Sequence, residues 1–330
     1  MVLRLHSPSV FHALRSYSTA AQPSASSGVK WILAGSAAAG IGYWAFNSQE
    51  ASKGKNLSKS SSVRTSALSP DEWRNFKLKE VIPYNHNTST FVFELPKGSD
   101  SGLTVASALV TKSAASEGDL SCKEDNGKPA IRPYTPITPP DQQDSLHLLV
   151  KKYPSGKMTN HIHSLKPGDE LSLKGPIPKW PYKTNEFKTI GMIAGGTGIT
   201  PHWQIIQDII SNPSDRTKVV LLFANQKEED ILLREELERL TKQSPDQFSI
   251  HFVLDDPPKK WSSELKGHLN AAILKSKLPP PELGSDTKIF ICGPPGQVGA
   301  IAGPKKGKEQ GELGGILKEL GYSQEQVYKF

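Results

Sequence analysis

Arg132-Pro133-Tyr134-Thr135 is the first of four short motifs that decide the fold of this chain. The other three follow in the order Gly156-Lys157-Met158-Thr159, Gly195-Gly196-Thr197-Gly198 and Cys292-Gly293-Pro294-Pro295. The guanidinium of Arg132 suits a pyrophosphate, because it makes paired, charge-assisted hydrogen bonds in a fixed plane. Tyr134 shares its face of the predicted strand and can pack on a flat ring, whereas Thr135 points the other way. One such tetrapeptide is weak evidence for a cofactor site, whereas four such motifs in this order are strong evidence for one.

The segment from Asn75 to Pro181 predicts a small antiparallel β-barrel. Its short apolar or alternating runs are separated by turn residues, as in hairpin-connected strands. The predicted strands cover residues 76–81, 90–95, 104–110, 131–135, 146–152 and 170–174, with one helix over 158–165. The polar insert 113–128 is predicted to be a loop.

After Pro181 the pattern changes to strands alternating with helices. Strands are predicted over residues 189–194, 219–224, 249–254 and 289–292, and helices over 201–210 and 231–240. Apolar strands with this alternation predict a parallel sheet covered on both faces. Ligands of such sheets bind at the carboxyl ends of the strands, where the Gly195 and Cys292 motifs both fall.

The Gly195 motif lies between a predicted strand and a predicted helix. Glycines there let backbone amides approach a pyrophosphate, and the helix start adds partial positive charge. A single glycine turn between a strand and a helix is also common in α/β proteins. The pairing with the Cys292 motif is therefore the stronger evidence for a binding site. Cys292 ends an apolar run, and alone it could equally be a small core residue.

Length and composition permit two domains after an N-terminal tail in this chain of 330 residues. Two cysteines give no disulfide framework.

The formal charge is +7, and residues 151–190 contain eight lysines against three acidic residues. A nucleic-acid surface is disfavoured, because aromatic and arginine residues are not interleaved with the lysines. An acidic protein partner is predicted, with a solvated lysine face as the alternative. The histidine spacing predicts no metal site.

The N-terminal region has the composition of a targeting sequence. Residues 1–49 include Arg4, Arg15 and Lys30 but no acidic residue. This predicts a mitochondrial targeting leader over residues 1–28, with a disordered tail as the alternative. Residues 29–46 contain an uncharged run with aromatic residues at both ends, which predicts a membrane segment of marginal length. Residues 47–70 are polar and predict a flexible linker.

From about residue 75 to its end the chain resembles the ferredoxin-reductase-type flavoproteins and, within them, the NADH-cytochrome b5 reductases. The likeness rests on the segments 132–137, 195–201, 223–226 and 230–234. The leader and the ending 321–330 are similar to the fungal mitochondrial form. The resemblance implies an FAD-binding barrel domain over residues 71–183 and an NADH-binding domain over 184–330.

The same resemblance implies roles for individual residues. FAD would be bound by Arg132, Pro133, Tyr134, Thr135, Gly156, Lys157, Met158, Thr159 and Thr200. NADH would be bound by Gly195, Gly196, Thr197, Gly198, Pro201, Asp255, Cys292, Gly293 and Pro294. Lys151 matches a family lysine near the cofactors. Thr135 and Cys292 would lie at the reacting rings, and Asp255 would select NADH over NADPH, although it is also an ordinary polar strand end.

The implied reaction is hydride transfer from NADH to FAD, followed by release of single electrons to cytochrome b5 or a similar acidic haem protein. The implied location is the mitochondrial outer membrane, facing the cytosol or the intermembrane space. One alternative is a related reductase that feeds an iron-sulfur protein. A second is a catalytically weakened, membrane-tethered interaction protein, because Gly296-Gln297 replaces a third proline and a bulky apolar residue of the family pattern.

Overall fold

The computed structural model describes residues 66–118, 120–262 and 265–330. The predicted leader, the predicted membrane segment and all but the last five residues of the predicted linker lie outside these ranges. Within them, no helix combines the length and the apolar character that crossing a membrane requires.

The first part of the described chain forms a six-stranded antiparallel sheet. Its strands, in chain order, are β1 (Arg74–Pro83), β2 (Thr88–Glu94), β3 (Ser107–Ser113), β4 (Arg132–Tyr134), β5 (Ser145–Lys151) and β6 (Glu170–Pro178). They lie in the order β4-β3-β6-β1-β2-β5, and every neighbouring pair is antiparallel. Just beyond β4, the N–H of Ile137 donates to the carbonyl of His147 in β5 at 3.0 Å. This bond joins the two edges of the sheet, as a barrel requires.

Alternation places the core of this sheet on one side of each strand. Phe91 and Phe93 of β2 are fully buried, as are Leu146 and Leu148 of β5, because residues two apart share a face. Helix α1 (Lys157–Ser164) adds Met158 and Ile162 to the same core. Each fully buried Leu or Phe contributes about 1.5–3 kcal/mol.

The second part forms a five-stranded parallel sheet. Its strands are β7 (Thr189–Gly195), β8 (Lys218–Asn225), β9 (Phe248–Leu254), β10 (Thr287–Cys292) and β11 (Val327–Lys329). They lie in the order β11-β10-β7-β8-β9, and all neighbours are parallel. The chain moves outward in one direction from β7 to β9 and in the other from β10 to β11. The carboxyl ends of β7 and β10 therefore flank the switch point at which ligands of such sheets bind.

Five helices accompany the parallel sheet in the described residues. They are α2 (Ile199–Ser211), α3 (Arg234–Gln243), α4 (Ala271–Lys277), α5 (Pro295–Ala302) and α6 (Gly315–Glu319). Short 3-10 turns cover Gly196–Gly198, Glu228–Asp230, Pro281–Asp286 and Gln324–Gln326.

The predicted strands and helices are present with shifted ends, and the largest shift is in β6, which ends at Pro178, four residues later than predicted. The sequence patterns gave no prediction for β11, α4, α5 and α6. These elements span three to eight residues, too few for a period to be visible. The 113–128 insert contains a hairpin turn, in which the N–H of Glu124 donates to the carbonyl of Lys128 at 2.8 Å.

Helix α2 of the parallel sheet also contacts the antiparallel sheet. The buried amide of Gln204 accepts the N–H of Ser107 at 2.9 Å and donates to the carbonyl of Pro136 at 2.9 Å. Gln207, almost one turn later, donates to the carbonyl of Ile137 at 3.1 Å. These bonds place α2 against the segment that follows β4.

Candidate functional site

Arg132 and Lys157 lie on one surface of the barrel. Arg132 is the first residue of β4, opposite Thr111 of β3, and Lys157 is the first residue of α1. The carboxylate of Glu124 lies 2.6 Å from Arg132 Nη1 and 4.0 Å from Lys157 Nζ, and Asp125 lies 2.5 Å from the same lysine. The structure therefore brings together the two cations that the sequence assigned to a phosphate.

The Gly156 motif forms the start of α1. A Cβ on Gly156 would lie 2.3 Å from Thr159 Oγ1, and that hydroxyl donates to the Gly156 carbonyl at 3.0 Å. The first backbone N–H groups of a helix have no acceptor within the helix, so they suit an anion. The side chain of Met158 packs in the barrel core. Of this predicted cofactor residue, only the backbone can face a ligand.

Tyr134 and Thr135 lie at the end of β4. Tyr134 is opposite Leu109 and packs against the barrel core. Burial raises the pKa of its phenol, against the opposing effect of Arg132, so the hydroxyl keeps its proton at physiological pH. Pro133, which precedes Tyr134, is exposed, and Thr135 is half-buried.

Thr200 lies on the side of α2 that faces the barrel. It precedes Gln204 by four residues, and residues at this spacing share a helix face. Gln204 is bonded to Pro136, the residue after Thr135. The Thr200 hydroxyl is buried and donates to the carbonyl of Thr197 at 3.1 Å. The structure thus orients Thr200 toward the end of the Arg132 motif.

The Gly195 and Cys292 motifs are in direct contact. A Cβ on Gly198 would lie 2.2 Å from the Cys292 carbonyl oxygen, and one on Gly195 would lie 2.8 Å from Pro294 Cδ. Gly196 has a φ of +52°, in the left-handed region that favours glycine. Pro201 is buried in the first turn of α2, where the missing N–H of a proline costs little. Gly195 and Gly198 therefore leave no room for a larger residue where the two loops meet, and the loops form a close cradle.

Cys292 ends β10, opposite Ala194 of β7. Burial raises the pKa of its thiol to about 12, and the charge of Lys305 acts in the opposite direction. The thiol is therefore neutral at physiological pH and is not a thiolate nucleophile. Beside it, the Gln297 amide packs against Gly195 and Gly293. The altered Gly296-Gln297 sequence thus keeps the two loops in contact.

Asp255 directly follows β9, and its N–H donates to the carbonyl of Asn225 at 3.1 Å. Its carboxylate lies 2.8 Å from Nδ1 of His268. A cavity at the carboxyl ends of β8 and β9 is lined by Lys227, Glu228, Glu229, Arg234, Asp256, Pro257 and Pro258. Asp255 is therefore beside this cavity, and its neighbour Asp256 is among the lining residues.

Lys151 and Asp230 join the two sheets by a buried ion pair. Lys151 Nζ, at the end of β5, lies 2.9 Å from Asp230 Oδ1, in the turn between β8 and α3. The Asp230 side chain is only 5% exposed. Burial alone would raise the pKa of this carboxyl, but the hydrogen bond and charge of Lys151, with the Lys227 N–H, hold it below its ordinary value. Lys151 is thus committed to Asp230 in this structure.

The lysine-rich stretch is not one uniform face. Four of its eight lysines have partners: Lys151 pairs with Asp230, Lys157 with Asp125 and Lys188 with Asp286, and Lys174 donates to the carbonyl of Asp71. Lys152, Lys166, Lys179 and Lys183 are exposed. The predicted partner surface is therefore smaller than the sequence count indicates.

Sequence reasoning gave no role to Gln204, Glu124 and Asp125. Gln204 had a signal, because it is an amide flanked by the buried residues Trp203 and Ile205 in an apolar helix. A polar side chain in such a position needs a buried partner. Glu124 and Asp125 had no such signal in the sequence, since the sequence of an exposed loop does not show which cations it contacts.

The residues present fit the two dinucleotides that the resemblance implies. Arg132, Lys157 and the start of α1 supply two cations and free N–H groups, which suit a pyrophosphate. The contact between the Gly195 and Cys292 loops supplies a backbone cradle at the switch point of the parallel sheet. The strand end that carries Tyr134 and Thr135 is held to helix α2, which follows that cradle.

Comparisons with known proteins agree with this arrangement. Residues 75–182 match the family described as "Oxidoreductase FAD-binding domain", and residues 192–302 match "Oxidoreductase NAD-binding domain". The chain is 49% identical over 332 residues to NADH-cytochrome b5 reductase 2 of Mycosarcoma maydis, covering 96% of this chain and 93% of that protein. It is 44% identical over 320 residues to NADH-cytochrome b5 reductase 2 of Emericella nidulans, covering 96% and 95%.

Among solved structures, the chain is similar to the cytochrome b5 reductase domain of Ulva prolifera nitrate reductase. The TM-score is 0.68 at 30% sequence identity, and the match covers 81% of this chain and 100% of that one.

The buried ion pair generates a pH-dependent prediction. Lys151→Met removes the cation paired with the buried Asp230 carboxylate and leaves it the Lys227 N–H and the more distant His86. We therefore expect the free energy of unfolding at pH 7 to fall by about 2–3 kcal/mol. The lowered pKa of Asp230 means that its stabilising contribution is present above the unfolded-state pKa and is lost as the pH falls through the folded-state value. The difference between the two proteins should therefore narrow as the pH falls below about 4.

Urea denaturation at pH 7 and at pH 3.5 measures this difference. Lys152→Met, at the exposed neighbouring position, is the matched control and should change stability by less than about 0.5 kcal/mol. An equal loss at both pH values would show that Lys151 stabilises the fold by packing and not by charge.

Proposed function

We propose, from the premise that the chain belongs to the NADH-cytochrome b5 reductase family, that its electron acceptor is cytochrome b5 or a similar acidic one-electron haem protein. The chain is an FAD-dependent oxidoreductase with NADH as the electron donor. The contact between the Gly198 and Cys292 loops supports this function best. These loops adjoin helix α2, which is bonded to Pro136, the residue after the Arg132 motif. In this proposal the two dinucleotide-binding segments lie on either side of one crevice.

In this proposal Arg132 and Lys157 bind the FAD pyrophosphate, with the backbone N–H groups at the start of α1. The Arg132 fork supplies paired donors, and Lys157 supplies a point charge. Tyr134 packs on the flavin and donates from a hydroxyl that stays protonated, because burial raises its pKa. Thr135 and Thr200 approach the ring from the two domains. Pro133, Gly156, Met158 and Thr159 shape the backbone around it.

The NADH side is assigned to the two contacting loops. Gly195, Gly196, Thr197 and Gly198 let the backbone approach the NADH pyrophosphate, and Pro201 starts the helix behind them. Cys292, Gly293 and Pro294 align the nicotinamide, with the Cys292 thiol acting as a neutral neighbour. When bound, FAD would accept two electrons as a hydride and release them one at a time. The chain's own residues would bind and orient the two dinucleotides and exclude water from them.

Membrane attachment is proposed from the sequence. The uncharged run in residues 29–46, behind an acid-free leader, supports anchoring to the mitochondrial outer membrane, with the catalytic part facing the cytosol or the intermembrane space. Removing residues 1–49 should move the protein from the membrane pellet to the supernatant of fractionated cells and leave NADH-ferricyanide activity unchanged. Equal amounts of the truncated and complete chains in the pellet would contradict the anchor.

The acceptor proposal predicts a salt-sensitive reaction. Turnover with cytochrome b5 should slow as ionic strength rises, because screening limits electrostatic steering to about 10 Å at 0.1 M. Ferricyanide turnover should respond less. Lys179→Glu and Lys183→Glu should each raise the KM for cytochrome b5 several-fold, whereas Lys242→Glu on α3 should leave it unchanged. Faster turnover with an iron-sulfur protein, or rates indifferent to salt and charge reversal, would contradict the proposed acceptor.

Asp255 is proposed to select NADH. A carboxylate accepts a hydrogen bond from a ribose hydroxyl but repels a phosphate at the same place. Asp255→Thr should therefore weaken NADH modestly and improve NADPH, shifting the ratio of the two kcat/KM values by about tenfold. Asp256→Thr is the comparison, because Asp256 lines the neighbouring cavity. A larger shift for Asp256→Thr would move the selecting role to that residue.

A further inference from the structure

The insert hairpin places two carboxylates on the proposed phosphate-binding cations. Glu124 contacts Arg132 at 2.6 Å and Lys157 at 4.0 Å, and Asp125 contacts Lys157 at 2.5 Å. These contacts use the groups proposed to receive the FAD pyrophosphate. The chain's own carboxylates therefore lie where the negative charge of the cofactor would be attracted.

The position of the carboxylates is set by backbone hydrogen bonds of the hairpin. The N–H of Ala130 donates to the carbonyl of Cys122 at 2.9 Å, and the N–H of Glu124 to the carbonyl of Lys128 at 2.8 Å. Gly127 closes the turn with a φ of +77° and donates to the carbonyl of Glu124 at 2.9 Å. The turn is therefore held near Arg132 independently of its ion pairs.

The hairpin also changes the electrostatics of the site. Arg132 and Lys157 together carry two positive charges, and Glu124 and Asp125 carry two negative charges. A pyrophosphate that approaches this cluster meets a locally neutral surface, because opposite charges at these distances cancel at long range. Glu124 and Asp125 must also give up their contacts before the phosphate can use the same donors.

From these contacts we infer that Glu124 and Asp125 compete with the FAD pyrophosphate for Arg132 and Lys157, and so set the affinity and the capture rate of the cofactor. This inference rests on the proposed placement of the pyrophosphate at these two cations. The competition is moderate, because exposed ion pairs are individually weak. Side chains in these pairs range from 30% exposed for Glu124 to fully exposed for Asp125.

The alternative is that Glu124 helps the site by orienting Arg132. Only Nη1 of Arg132 contacts Glu124, so the other guanidinium nitrogens could still receive a phosphate. The two roles predict opposite changes. Removing a competitor strengthens FAD binding, whereas removing an orienting partner weakens it.

The test measures FAD binding to the full-length chain after its own flavin has been removed. The quenching of FAD fluorescence reports how much FAD is bound. The double variant Glu124→Gln, Asp125→Asn keeps the size and shape of both side chains and removes their charge. We expect its Kd for FAD to be about 3- to 30-fold lower than that of the unmodified protein. Its association rate should be higher and should fall more steeply with salt, because the two cations are then uncompensated. Glu117→Gln, in the same insert, is the matched control and should leave both quantities unchanged.

Arg132→Ala separates this inference from its premise. If Arg132→Ala weakens FAD binding and the double variant binds FAD no better than the unmodified protein, the competition is wrong while the proposed phosphate site stands. If Arg132→Ala leaves the Kd unchanged, the site and the competition are both wrong. Weaker binding by Arg132→Ala together with tighter binding by the double variant supports the inference.

Discussion

The amide of Gln204 is the contact between the two sheets that uses both polar ends of one buried side chain. Gln204 accepts the Ser107 N–H and donates to the Pro136 carbonyl, both at 2.9 Å. A buried amide left without partners costs several kcal/mol, so this side chain strongly favours the single arrangement that satisfies both of its ends. Since Pro136 follows Thr135 and Gln204 follows Thr200 by one turn, the same two bonds fix the proposed flavin segment against the helix that begins at the nucleotide-binding loop.

The ion pairs of this site differ in what they can do. Lys151 and Asp230 are mostly buried, so their attraction is poorly screened and either partner alone would be costly. Arg132 and Glu124 are partly exposed, so water can replace each partner at small cost. The first pair is suited to hold the sheets together. The second is suited to exchange one anion for another, as the inference on FAD binding requires.

Close contact, rather than charge, defines the loops proposed to bind the nicotinamide. Gly198 touches the Cys292 carbonyl, and Gly195 touches Pro294 and Gln297. Burial that raises the pKa of the Cys292 thiol to about 12 also keeps it uncharged. A neutral thiol in a tight backbone cradle can position a ring without reacting with it. Gln297 stands where the family pattern has a bulky apolar side chain, and its amide packs against Gly195 and Gly293.

The sequence by itself determined the two kinds of sheet, their order and the four motifs, because hydrophobic period and strand-to-helix glycines are local properties of the chain. Only the tertiary structure decided the partners of those motifs. Met158 turned inward to the core, Lys151 was committed to Asp230, and Asp255 was paired with His268 while Asp256 lines the cavity. The insert, predicted as a loop of no assigned role, was brought onto Arg132 and Lys157. Each of these outcomes joins residues at least eight positions apart, and such pairings follow from how the sheets pack and not from local pattern.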